Sequence, residues 1–184
     1  MPMRVDTQIR LVFWSVLTAA ALLVLDAAVT ATVLRDLAAL HTRLMSPRSL
    51  QQVEADYHNN LLVAAVGAVL LAALTLVVRR HNPKVRAALW IIGPLLGLAL
   101  LCGLVGGPEW AVAPTGEEPE LLRQEYARAV PEWYLWVHGI AGFCAACLLF
   151  FVAAFATRGD LREYYLESHG TGDSYRSWID RTST

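Results

Sequence analysis

Four apolar stretches, Leu11 to Leu34, Asn60 to Val78, Ala87 to Val105 and Trp133 to Ala156, take up about half of this 184-residue chain. A helix rising 1.5 Å per residue needs roughly 20 apolar residues to cross a hydrocarbon layer of roughly 30 Å, and each stretch has about that length. Only helices and closed barrels satisfy their backbone groups inside lipid. The sequence therefore predicts an all-α, polytopic membrane protein, a bundle of four transmembrane helices with a small helical extracytoplasmic cap.

Composition supports this reading. With 56% hydrophobic and 17% charged residues and a mean hydropathy of +0.44, the chain has too little polar surface to cover one soluble core. The net charge of -1 averages over segments of opposite sign and gives no reason to expect nucleic acid as a partner. Lys84 is the only lysine among many arginines, and alanine and leucine abound, which hints at a GC-rich bacterial genome. The first apolar stretch runs into charge without a small-residue cleavage motif, so it reads as a retained span rather than a leader.

Charge also predicts orientation. Taken as alternating sides, residues 1–10, 79–86 and 157–184 carry ten Lys and Arg, against five in segments 35–59 and 106–132. Positive residues collect on the cytoplasmic side, so both tails and the link Arg79 to Arg86 are expected inside the cell. Segment 106–132 has six glutamates, Glu109 to Glu132, against Arg123 and Arg128, and is expected outside. Trp14 and Trp90 toward one interface, and Trp110, Trp133, Tyr134 and Trp136 toward the other, fit aromatic belts.

The outer segments predict a small helical cap. Leu37, Leu40 and Leu44 continue the rhythm of span one, Ser46-Pro47 is a helix start, and Leu50, Val53 and Tyr57 lead into span two. A short helix from Glu117 to Ala129, capped at Thr115, would complete it. In the C-terminal tail a helix is expected around Leu161 to Ser168, with Tyr164, Tyr165, Leu166, Tyr175, Trp178 and Ile179 available to lie on the membrane or dock a partner.

Polar groups inside the spans are the candidates for function. Asp26 comes first, because an ionisable group in a span is costly and faces a partner, a cavity or a pathway. At 100° per residue it lies within about 40° of Ser15, Ala19 and Thr30, a small and polar side that should face the bundle. His138 heads a stripe through Gly142, Ala145, Ala146 and Ala153 that permits close packing. Because helical side chains lean toward their own N-termini, Asp26 and His138 on antiparallel spans should tilt apart, making contact through water or Asn60 the expectation. Two readings of Asp26 stand side by side: a protonatable or cation-binding group, and a hydrogen-bonded anchor of helix packing. In span three, Pro94 should kink the helix, and Gly93 and Gly97 form a small-xxx-small pair suited to packing or to a hinge.

No set of residues reads as catalytic, as a metal site or as a cofactor site. His41, His58 and His138 share a side but lack helical metal-ligand spacing. Cys144-Ala145-Ala146-Cys147 is similar to the CxxC that membrane thiol oxidoreductases resembling vitamin K epoxide reductase place near the outer end of their fourth helix. That resemblance would imply a redox enzyme. This pair, however, lies about 16 Å deep by helix rise, and the third cysteine, Cys102, is within span three rather than in an outer segment. Cys144 and Cys147 project to the same side as Phe143, Phe150, Phe151 and Phe155, away from the His138 stripe, and are expected to be reduced, buried thiols acting as small hydrophobes. The functional expectation is a non-enzymatic accessory, scaffold or sensory component that acts on other membrane proteins or as a homo-oligomer. A small oligomeric transporter or channel using Asp26 is the second reading, and a membrane redox enzyme the third.

Overall fold

A computed structural model describes residues 5–38, 47–80, 82–105, 130–159, 161 and 165. Among these residues the protein is all-helical, with four helices, each long and apolar enough to span a membrane. They are α1 (Val5–Ala38), α2 (Pro47–Val77), α3 (Pro83–Val105) and α4 (Glu132–Ala156). This fits a multi-pass membrane protein. The expected cap helix at 117–129, the tip before Pro47 and most of the C-terminal tail lie outside the described residues.

Helices exceed the apolar stretches because their residues favour helix on both sides of the lipid limit. α1 starts six residues before Leu11, with Asp6 in its first turn and Arg35 in its last, both placed to suit the helix dipole. Pro47 opens α2 and Pro83 opens α3, each filling a first-turn position where a missing N–H costs nothing. Before Pro83, the Asn82 side-chain oxygen accepts the Lys84 amide at 2.9 Å. The α2–α3 link is thereby shorter than the expected 79–86.

Packing sets the order α2, α1, α4, α3 across the bundle, with only sparse contact between α2 and α3. The end carrying the α1–α2 connection and the start of α4 is termed here the hairpin end. The opposite end is the terminal end. There, two carbonyls at helix C-termini find side-chain donors: Arg86 Nε donates to Ala156 O at 2.8 Å and the Tyr165 hydroxyl to Val78 O at 2.8 Å. Tyr165 is thus buried in the bundle with Leu161, not free to lie on a membrane surface or meet a partner. The Arg79 guanidinium sits 4.0 Å from the centre of the Phe13 ring.

Close helix approach rests on glycine at particular heights. A Cβ on Gly93 would stand 3.1 Å from the Leu149 carbonyl oxygen, and one on Gly97 3.1 Å from the Phe150 ring, so both mark the α3–α4 seam. α3 continues as helix through Pro94. Gly67 plays the same part between α2 and α1, where a Cβ would stand 2.9 Å from Leu23.

Candidate functional site

The apolar interior is divided in two. One cluster fills the terminal two thirds, and its α1 members run from Ile9 to Leu23. The other, at the hairpin end, contains Val33, Leu37, Val53, Tyr57, Val130 and Tyr134. Between them lies a layer to which α1 contributes Asp26 and Thr30, α2 contributes Asn60 and α4 contributes His138. Asp26, Asn60 and His138, three of the four polar residues picked out in the sequence, line one pocket, and Thr30 lies one helical turn from Asp26, against Tyr134.

Asp26 and His138 are in direct contact: Nδ1 of the imidazole stands 2.6 Å from Oδ1 of the carboxylate. Their residues are 2% and 7% exposed. This corrects the expectation of an indirect contact. The lean of each side chain toward its own N-terminus is offset by the relative height of the two helices. Stepping one turn along α1, from Asp26 to Thr30, matches stepping one turn back along α4, from His138 to Tyr134. Thr30 Oγ1 and the Tyr134 hydroxyl duly meet at 3.3 Å, a long and weak hydrogen bond beside the short one. At 2.6 Å the Asp26–His138 contact is a short hydrogen bond.

Tyr134 also stacks on His138, with ring centres 5.5 Å apart and planes 9° from parallel, and packs against Tyr57 of α2 at 5.8 Å. It is fully buried, not part of a lipid-facing belt, whereas Trp133 and Trp136 beside it are exposed. Sequence reasoning passed over Tyr57 and Tyr134 as site residues. The signal was present: Tyr134 lies four residues before His138 on the same helix face.

Asn60 lines a pocket of about 80 Å³ together with Asp26, His138, Gly103, Leu104 and Gly142, so that all four helices reach it. The Asn60 amide nitrogen is shielded from solvent and has no hydrogen-bond partner among the described residues. It does not bridge the Asp–His pair. A buried donor left unsatisfied costs on the order of 1–3 kcal/mol. Gly142 and Gly103 keep the wall thin: a Cβ on the first would stand 3.4 Å from Leu104 and one on the second 3.5 Å from the Asn60 side-chain oxygen.

The remaining candidates lie elsewhere. His58 is exposed at the hairpin end, its Nδ1 2.7 Å from the Glu54 carbonyl of its own helix, while His41 lies outside the described residues. No three His, Cys, Asp or Glu side chains group together among the described residues. Cys102, Cys144 and Cys147 are free and exposed on the flank of the bundle; Cys144 and Cys147 lie away from the His138 stripe, as expected, but are not buried. The reason is rotational: the α4 stripe that faces inward carries His138, Gly142, Ala145 and Leu149, and the cysteines fall beside it, with Phe143. The chain matches no family model, and neither a curated protein nor a solved structure is significantly similar to it.

Proposed function

We propose that the protein is a non-enzymatic accessory, scaffold or sensory component of a membrane, which acts by contact with other membrane proteins and couples its hairpin end to a polar layer inside the bundle. One observation carries this reading: side chains run in unbroken contact from Tyr57, in the α1–α2 hairpin, through Tyr134 to His138 and Asp26. A contact made at the hairpin end therefore bears on the groups that hold α1 to α4. The distribution of Lys and Arg supports cytoplasmic tails and an outward hairpin end, and the arginine-rich composition supports a bacterial cell membrane.

Affinity purification of the tagged protein from its native membranes in mild detergent tests the proposal. A stoichiometric membrane-protein partner is expected, with recovery reduced by Tyr57→Ala. A clean homo-oligomer or monomer with no partner would count decisively against it.

A second reading, a small oligomeric transporter or channel, is favoured by one observation, the pocket that all four helices reach and that Asp26 and His138 line. In reconstituted vesicles it requires proton or solute flux that Asp26→Asn abolishes. Absence of flux in the parent protein removes it.

A further inference from the structure

We propose that the pocket between Asp26, Asn60 and His138 is a hydration site, whose waters give the Asp26–His138 pair a route for proton exchange inside the membrane-spanning part of the bundle. Three observations support this inference. The pocket measures about 80 Å³, whereas seating one water takes roughly 10–15 Å³ on a comparable measure. There is room for more than one.

The lining is polar enough to hold water. Internal cavities stay dry when every wall is apolar, and water settles where it finds two to four polar partners. Asn60 offers a shielded amide donor with no partner among the described residues, and Asn59 lines the same pocket. Asp26 spends Oδ1 on His138, and its second carboxylate oxygen has no hydrogen-bond partner among the described residues. A water that accepts from Asn60 and donates to Asp26 satisfies both. Bridging water of this kind is nearly as favourable as a direct hydrogen bond.

Among the described residues, Asp26 from α1 and His138 from α4 are the only titratable side chains lining the pocket, with α2 supplying Asn59, Asn60 and Val63 and α3 supplying Gly103 and apolar residues. Tyr134 covers the His138 ring on the hairpin side. Among the described lining residues, protons exchanged through these waters therefore pass to the Asp–His pair.

The inference stands apart from the proposed partner contact, since a dry pocket would leave partner recovery unchanged. Its test uses the full chain, labelled with ¹⁵N-histidine, in phosphatidylcholine bilayers. Polarisation transfer from water to the ring nitrogens is read by solid-state NMR, with His138 assigned from a His138→Gln spectrum and exposed His58 as the internal standard. Transfer to His138 is expected within about tenfold of that to His58, as for a side chain in contact with water. Asn60→Leu, which removes the donor and fills the space, and Gly103→Leu, which fills it from another helix, are each expected to cut that transfer by about tenfold while His58 is unchanged. Transfer to His138 more than about tenfold below His58 in the parent, or unaltered in both folded variants, overturns the proposal. Where neither variant folds, the parent measurement decides alone.

Discussion

Asp26 and His138 form a contact whose value depends on both partners being present. Removing one partner of a buried pair in a soluble core costs on the order of 3–5 kcal/mol. Hydrogen bonds between helices in lipid are worth less, about 0.6 and at most about 1.7 kcal/mol, because the separated helices also find partners there. Asp26→Leu, which strands a buried imidazole, is expected to lose about 2 kcal/mol in a reversible unfolding measurement in detergent. Asp26→Asn, which keeps a hydrogen-bonding group of the same size, should lose about 1 kcal/mol. Tyr134→Phe removes the 3.3 Å contact to Thr30 while keeping the ring, and should cost less than about 1 kcal/mol. The same measurement checks all three, and equal losses for Leu and Asn at position 26 would show that packing, not polarity, dominates. Asp26, Thr30, Asn60 and His138 were legible in the sequence because each is polar within an apolar run. The meeting of Asp26, Asn60 and His138 around one pocket was not, since it depends on how far one helix slides past another, and residue type carries no record of that. Tyr57 and Tyr134 escaped notice because a tyrosine at the end of an apolar stretch reads as an interface residue.

At the scale of elements, the four helices follow from length and hydropathy, and their starts follow from Pro47, Pro83 and the Asn82 cap. How tightly they meet is a matter of individual glycines. Gly93 packs under a main-chain oxygen of α4, which cannot give way as a flexible side chain can, so Gly93→Ala should destabilise the bundle by about 1–3 kcal/mol. Gly139, one residue beyond His138, has open space around the position of a Cβ. Gly139→Ala should be neutral or gain up to about 1 kcal/mol through helix propensity. Thermal melting of the two variants in one detergent checks the contrast, and similar losses in both would argue against the α3–α4 seam. The small-residue pattern made Gly93 visible but not the main-chain oxygen it packs under, because spacing assigns a face and not a neighbour. The cysteines are a similar case. Their i, i+3 spacing drew attention as a motif, yet rotation about α4 puts both on the flank. Replacing Cys144 and Cys147 together by Ala should leave folding and partner recovery as they are, and loss of either would show that the flank is used.

For the whole molecule, the order α2, α1, α4, α3 puts α1 and α4 at the centre and leaves a polar layer between two apolar clusters. Sequence-adjacent helices need not be the closest neighbours: α2 and α3, joined by the shortest link, touch far less than α1 and α4 do. That arrangement was not legible from hydropathy, which treats each span alone. It joins the layer to the hairpin end, since Tyr134 belongs to the hairpin-end cluster and stacks on His138, and the proposed function takes this contact as the means of coupling. The most direct test of that coupling is amide hydrogen exchange in α2, between Val53 and His58, compared in the parent protein and in Asp26→Leu. If the pair supports the hairpin end through Tyr134 and Tyr57, the loss of about 2 kcal/mol should lower protection there by more than about tenfold, although Val53 to His58 lie on another helix. A loss of protection confined to the turns around residues 26 and 138, with Val53 to His58 unchanged, would contradict the account.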